Sequence, residues 1–108
     1  MPQIICKGLK EKEVMAMSDS LSYELAEIMD TPRDWFIFEH IDRKCYVAGS
    51  KAEGDVMIDI WWFDRGQEIK DKTALAVDKA VRDMGYSQIE IAFNNYREES
   101  YYENGKHY

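Results

Sequence analysis

The sequence predicts a single α+β domain in which two helices cover one face of a four-stranded mixed sheet, with additional short strands. Segments with strand-like alternation flank segments with the period of an amphipathic helix, and this strand–helix–strand order occurs twice, about 54 residues apart. The chain has 108 residues, 45% of them hydrophobic, which is enough for one core but not for two domains. The units comprise residues 2–48 and 56–94 and are followed by a tail at 95–108.

The first unit begins with a strand at residues 3–7 and continues with a helix at 10–29. Apolar side chains recur along that helix at intervals of three and four residues, which gives it one apolar face. A second strand follows at 35–41, and a short strand at 44–48 is expected to return antiparallel to it before a turn region at 49–54. The apolar positions of the helix are Val14, Met17, Leu21, Leu25 and Ile28.

The second unit repeats this order with a strand at 56–63, a helix at 68–84 and a strand at 88–93. A crossover of this kind makes its two strands parallel and places its helix on one face of the sheet. The other face remains uncovered although it carries apolar residues, so we expect another copy of the chain to cover it. The inner helix positions are Ile69, Thr73, Ala76, Val77, Ala80, Val81 and Met84.

The tail is predicted to form a small hairpin. Asn104-Gly105 is the preferred pair for a tight two-residue turn, and residues 101–103 and 106–108 are its two arms. These arms contain three tyrosines, so we expect the tail to dock, either on its own subunit or on a neighbouring one.

Composition excludes several classes of function. The formal net charge of −7 argues against a nucleic-acid partner, because phosphate contacts need a basic surface. No apolar run reaches the roughly 18 residues of a membrane span, and the N-terminus lacks a signal-peptide pattern. Cys6 and Cys45 lie in strand-like segments, and we expect reduced, buried thiols in a cytoplasmic protein. Because His40 and His107 are isolated, we expect no metal, and no motif indicates a cofactor.

Pro2 follows Met1 directly and precedes the first strand. Initiator Met is readily excised before a small residue such as Pro, and excision leaves Pro2 with a free secondary amine. An α-amino group titrates near pH ~8 in water, and apolar surroundings lower its pKa toward the value of a useful general base. The alternative is that a Met-Pro start has no functional meaning.

A free Pro2 on the first strand of a doubled β-α-β chain resembles the tautomerase superfamily, which includes 4-oxalocrotonate tautomerase and macrophage migration inhibitory factor (MIF). The resemblance covers nearly the whole chain. Three blocks, at residues 31–39, 58–67 and 100–108, are similar to an uncharacterised bacterial family of unknown function within that superfamily.

The resemblance implies a tautomerase/MIF-like fold, a homotrimer, and an N-terminal proline that acts as general base in keto–enol tautomerisation. Relatives that dehalogenate or decarboxylate small unsaturated acids use the proline as general acid. The MIF-like members carry a Lys after the first helix and a Tyr and an Asn on the last strand. This chain has Arg33 and Trp35, and Glu90 and Ala92, at roughly those places, so substrate preference does not carry over.

Arg33 and Arg65 are candidate carboxylate clamps, because a guanidinium can grip a carboxylate through two hydrogen bonds. Both lie at turns next to strand ends, where functional sites collect. The alternative is that Arg33 pairs with Asp34 or Glu39, and Arg65 with Asp64, as ordinary surface ion pairs.

Glu39 and Asp59 each interrupt an apolar strand, where a carboxylate is costly to bury unless it is paired or protonated. Either is a candidate acid or water activator in the pocket of Pro2. Alternatively, strand alternation turns each toward solvent or toward an arginine of a neighbouring subunit. Trp35 is a candidate pocket residue, although strand aromatics more often belong to a core or an interface. The same alternatives apply to Trp61 and Trp62.

The sequence therefore predicts a tautomerase or isomerase that acts on small α-keto or unsaturated acids, with Pro2 as general base. Its expected partners are further copies of itself and a small carboxylate ligand. The alternative is a non-catalytic trimeric module that binds small ligands or partners between its subunits.

Overall fold

A computed structural model describes residues 2–108 of the chain. It contains two α-helices, one four-stranded sheet and two small hairpins among these residues. Two short 3-10 turns, at Arg33–Trp35 and Glu98–Ser100, lie between the regular elements. In chain order the regular elements are β1 (Gln3–Lys7), α1 (Glu11–Met29), β2 (Ile37–Ile41), β3 (Cys45–Val47), β4 (Ser50–Ala52), β5 (Val56–Trp62), α2 (Gln67–Arg82), β6 (Ile89–Asn95), β7 (Tyr102–Glu103) and β8 (Lys106–His107).

The main sheet has the strand order β2-β1-β5-β6 and is mixed, as predicted. Each β-α-β unit supplies a parallel pair, and the two units join through the antiparallel pair β1–β5. Gln3 lies opposite Ile37 on one side and Trp61 on the other. The starts of β1 and β2 therefore share one end of the sheet with the finishes of β5 and β6. We call residues 2–3, 36–37, 61–65 and 94–96 the Pro2 end.

Alternation along the strands separates a face beneath the helices from a second face. Ile4, Cys6, Ile58 and Ile60 are completely buried on the first face, where they pack with the apolar sides of both helices. Neither helix covers the second face, which we call the open face. The strand registers place on it Gln3, Ile5, Lys7, Ile37, Glu39, Ile41, Met57, Asp59, Trp61, Glu90, Ala92 and Asn94.

Both helices lie close to their predicted ranges. α1 begins one residue later than predicted, where the Lys10 N–H donates to the Glu13 carboxylate at 2.8 Å and caps the first turn. α2 ends two residues earlier, and Gly85 follows with a φ of 103°, which favours glycine. The predicted inner positions of both helices are buried or packed against the core.

Two predictions between β1 and β5 are wrong. β2 begins at Ile37 rather than at Trp35, because the Trp35 N–H donates to the Pro32 carbonyl and closes a 3-10 turn. β3 does not return to β2: Ala48 and Gly49 adopt positive φ values of 48° and 83°, which form a tight hairpin turn. β3 therefore pairs with β4, and part of the predicted turn region is a strand.

The tail forms the predicted hairpin, with Asn104 and Gly105 at positive φ values of 51° and 86° between β7 and β8. The tail docks on its own subunit: the ring of Tyr108 stacks on Phe63 at 4.8 Å between centroids, and Tyr101 meets the same ring edge-on at 5.2 Å. Within residues 2–108, neither helix combines the length and the apolar character that a bilayer crossing requires.

Candidate functional site

Pro2 begins the sheet. Its carbonyl accepts a hydrogen bond from the Ile37 N–H at 3.2 Å, so the β1–β2 ladder holds its backbone. Its ring is buried. One step beyond the register of Gln3, Pro2 lies level with Phe36 and Trp62, which are themselves buried. A free amine here would have apolar neighbours that favour its neutral form. The predicted excision concerns Met1, which lies outside the described residues.

Arg65 lies at the same end of the sheet. Its guanidinium is 5.4 Å from the ring centroid of Trp62, and its Nη1 donates to the Phe63 carbonyl at 2.7 Å. Burial lowers the pKa of Arg65, while Tyr108 acts in the opposite direction. The anticipated pair with Asp64 is absent among the described residues, because the Asp64 carboxylate accepts from the Gly66 N–H instead.

Arg33 is engaged with α1. Its Nε donates to the Ser22 hydroxyl at 2.8 Å, its Nη2 donates to the Asp19 carbonyl at 3.0 Å, and it forms an ion pair with the Asp19 carboxylate. The guanidinium also stacks on Tyr23, 3.8 Å from the ring centroid. The ion pair predicted as the alternative exists, but Asp19 is the partner rather than Asp34 or Glu39.

Trp35 and Glu39 lie near each other in the chain but in different environments. Trp35 lies in the 3-10 turn before β2 and is 45% exposed, so it is not a core residue of the subunit. Glu39 lies on the open face beside Ile5 and is half-buried. The negative charge of Glu39 adds to the effect of burial in raising the pKa of Cys6 and that of Tyr96. Glu39 therefore influences both the middle of β1 and the Pro2 end.

Asp59 pairs with Lys7 across the open face. The Lys7 Nζ lies 2.7 Å from the Asp59 carboxylate, and their side chains are 29% and 20% exposed. The predicted arginine of a neighbouring subunit is therefore not required to pair this charge. Sequence reasoning missed Lys7, because only the antiparallel β1–β5 register brings it diagonal to Asp59.

A second feature that sequence reasoning missed is an aromatic cluster at the Pro2 end. Its hub is Tyr96, whose hydroxyl donates a hydrogen bond to the side-chain oxygen of Gln3, the residue after Pro2. Burial, followed by the charges of Tyr101 and Glu39, raises the pKa of Tyr96. The cluster consists of Trp61, Phe63, Tyr96, Tyr101 and Tyr108.

The two thiols are free but differ in environment. Cys6 is fully buried as predicted, and burial, assisted by the Glu39 charge, raises its pKa to about 12. Such a thiol is neutral and unreactive near neutral pH. Cys45 lies in the β3–β4 hairpin and is partly exposed, so the prediction that it is buried is wrong. No group of three or more metal-ligating side chains occurs within residues 2–108.

Among the candidates, Pro2 and Arg65 lie at the same end of the sheet, and Glu39 and Asp59 lie on the open face. Arg33 and Trp35 precede β2, and Arg33 is bound to α1. If Met1 were removed, the free amine of Pro2 and the Arg65 guanidinium would be a base and a cation of the kind that proton transfer on a small acid requires.

The family described as "Domain of unknown function (DUF1904)" matches residues 1–107 of the chain. Among solved structures, a DUF1904 domain from Sebaldella termitidis ATCC 33386 is 33% identical, with a TM-score of 0.93 and complete (100%) coverage of both chains. None of the curated proteins matches the chain.

More distant structures share the fold alone. A macrophage migration inhibitory factor-like protein from Entamoeba histolytica aligns with a TM-score of 0.76 at 12% identity, over 99% of this chain and 98% of that one. A structure described as "F6 fused 4-OT wild type asymmetric trimer" aligns with a TM-score of 0.80 at 7% identity, over 98% and 94%. The predicted tautomerase/MIF-like α+β fold is therefore confirmed, and so is the predicted similarity to a family of unknown function.

Proposed function

The chain belongs to the DUF1904 family and has the tautomerase fold, and on that premise we propose that it transfers protons on small α-keto or unsaturated acids with Pro2 as general base. Excision of Met1 frees the Pro2 amine. The neutral amine removes a proton from a carbon or an enol oxygen of the substrate and returns it to another atom of the same conjugated system. The product is therefore an isomer, and no co-reactant is consumed.

The observation that carries this proposal is the position of Pro2. The hydrogen bond from Ile37 to its carbonyl holds its backbone, and its ring lies among buried residues level with Phe36 and Trp62. Both features favour a rigidly placed amine with a lowered pKa, which is what a general base near neutrality needs.

Arg65 is the substrate clamp in this proposal. It lies next to Trp62 at the Pro2 end and has no carboxylate partner within 4 Å among residues 2–108, so a substrate carboxylate would supply the missing counter-charge. Trp35, in the 3-10 turn before β2, and Glu39, on β2, would complete the pocket. Asp59 would remain paired with Lys7 on the open face. Arg33 could bind a substrate carboxylate only if its ion pair with Asp19 were broken.

We further propose that the protein assembles as a homotrimer through its open face. Apolar side chains remain accessible there, at Ile37 and Ile41 on the edge strand β2. The β3–β4 hairpin projects Tyr46 and Val47, which are 64% and 66% exposed in the isolated subunit. Exposed apolar surface of this kind favours association with further copies. The trimer recorded for the 4-OT structure supports this assembly.

The decisive experiment begins with the intact mass of protein isolated from its own cells, which we expect to lack Met1. Turnover of the dienol of a small unsaturated α-keto acid is then followed by ultraviolet absorbance. Pro2→Ala keeps a free α-amine but loses the secondary amine and its ring, and we expect turnover to fall by roughly a hundredfold. Arg65→Gln should raise KM, whereas Arg97→Gln, at an exposed arginine, is the matched control.

A retained Met1, or unchanged turnover in Pro2→Ala, would contradict catalysis by Pro2. Two observations favour the alternative of a non-catalytic trimeric binding module: burial of the Pro2 ring restricts the access of a substrate to it, and Arg33 is already neutralised by Asp19. In that case carboxylate binding at Arg65 survives Pro2→Ala, and the trimer measured by light scattering remains intact.

A further inference from the structure

A cavity of about 650 Å³ opens at the end of the sheet opposite to Pro2. It lies between the β3–β4 hairpin, the loops that follow β1 and precede β5, and the turn after α2. None of the residues assigned to the proposed catalytic site lines it. Its wall includes Gly8, Lys10, Arg43, Cys45, Lys51 and Gly54.

Arg43 is the central feature of this cavity. Its Nη2 donates to the Asp55 carbonyl, yet its Nε is buried and has no hydrogen-bond partner among the described residues. No carboxylate of residues 2–108 lies within ion-pair distance of its guanidinium. A guanidinium that has no anionic partner keeps donor capacity for an oxyanion.

Two glycines make room for the guanidinium. A Cβ at Gly54 would lie 2.9 Å from both terminal nitrogens of Arg43 and 2.6 Å from the sulfur of Cys45. A Cβ at Gly8 would lie 3.1 Å from Nη2 of Arg43. The absence of these two side chains lets Arg43 lie flat against the backbone, with the Cys45 thiol beside it.

The charged residues of the cavity wall indicate the sign of the ligand charge. The basic side chains outnumber the acidic ones by one, so the cavity favours a small anion over a cation or a highly charged polyanion. A guanidinium binds carboxylate and phosphate oxygens through pairs of parallel hydrogen bonds. The charged wall residues are Lys10, Arg43, Lys44 and Lys51 on the basic side and Asp42, Glu53 and Asp55 on the acidic side.

We propose that this cavity is a second ligand site, which binds a small oxyanion through the guanidinium of Arg43. The site is independent of the proton transfer proposed at Pro2, because it is built from other residues at the other end of the sheet.

Cys45 provides a direct readout. Its sulfur borders the guanidinium, so a bound anion should shield it from iodoacetamide, and mass spectrometry of the Cys45 peptide measures the alkylation rate. Inorganic phosphate and acetate, each added at constant ionic strength against chloride, are the two probes. We expect at least one of them to slow alkylation in a saturable way, and the tighter one identifies the oxyanion class. Cys6 is buried and serves as the internal control.

Two variants test the role of Arg43. Arg43→Gln removes the charged donor and should raise the anion concentration that gives half-maximal protection of Cys45 by about tenfold or more. Gly54→Ala should do the same by displacing the guanidinium, and it keeps the arginine and the net charge. Arg97→Gln removes one exposed positive charge outside the cavity. Its half-protecting anion concentration should stay within about twofold of that of the parent protein. Circular dichroism checks that each variant is folded.

The proposal is overturned if neither anion protects Cys45, or if Arg43→Gln and Gly54→Ala bind as the parent does. It is also overturned if these variants change only the oligomeric state measured by light scattering, because the cavity would then be an interface between copies of the chain. Since no readout uses turnover, failure of the Pro2 proposal leaves this test intact.

Discussion

The hydroxyl of Tyr96 donates a hydrogen bond to the side-chain oxygen of Gln3. This contact joins the residue after β6 to the residue after Pro2 on β1, across the intervening strand β5. Tyr96 also contacts Trp61 and Tyr101, so the tail, the open face and the start of β1 meet at one side chain. The aromatic cluster thus supports the strand end on which the proposed base lies.

Tyr96→Phe should therefore reduce the free energy of unfolding by about 1 kcal/mol, because the Gln3 amide oxygen loses its donor while the ring packing is retained. Urea denaturation measures this difference. Tyr102→Phe is the matched control, because Tyr102 is exposed and should tolerate the change within about 0.5 kcal/mol. Equal effects of both substitutions would contradict a specific role for the Gln3 contact.

The tail should contribute measurably to stability. Tyr101→Ala removes a ring that contacts Phe63, Tyr96 and Tyr108, and we expect a loss of about 1–3 kcal/mol. Tyr102→Ala removes an exposed ring from the neighbouring position and should cost less than about 1 kcal/mol. Thermal unfolding compares the two, and a tail that docks elsewhere would give no difference between them.

The open-face ion pair should matter more than the surface pairs of the helices. Asp59→Asn leaves Lys7 partly buried without its counter-charge, and we expect a loss of about 1–2 kcal/mol. Glu68→Gln breaks an exposed pair with Lys72 and should cost less than about 0.5 kcal/mol. Urea denaturation at low and high salt separates them, because the partly buried pair is screened less.

Glu13 should give stability a dependence on acid pH. Burial alone raises its pKa, but hydrogen bonds from the Tyr86 hydroxyl at 2.6 Å and from the Lys10 N–H outweigh burial and leave the pKa lowered. A carboxyl whose folded pKa is lowered stabilises the protein above its unfolded pKa, near ~4.3, and this contribution disappears as pH falls through the folded pKa.

The measurement compares unfolding of Glu13→Gln with that of the parent at pH 7 and at pH 3. The variant should be less stable at pH 7, and the difference should shrink as the pH falls below ~4.3 and through the lowered folded pKa of Glu13. Glu27→Gln, at an exposed position of the same helix, should show no such trend. A difference that stays constant with pH would show that the Glu13 charge is not responsible.

Local sequence patterns were sufficient to predict most helices and strands. The period of Val14, Met17 and Leu21 identifies α1 as a core helix, and the turn preference of Asn104-Gly105 identifies the tail hairpin. The prediction that a strand at 44–48 returns to β2 was wrong because the backbone at Ala48-Gly49 turns the chain onto β4 instead. No periodicity distinguishes these two partners.

The site residues show the same division. Residues close together in the chain were enough to predict that Pro2 begins an apolar strand, that Arg65 follows another, and that two helices cover one face. The pairing of Arg33 with Asp19, of Asp59 with Lys7 and of Tyr96 with Gln3 became visible only in the folded chain. These partners are set by the antiparallel β1–β5 register and by packing between distant segments, which periodicity within a single segment does not encode.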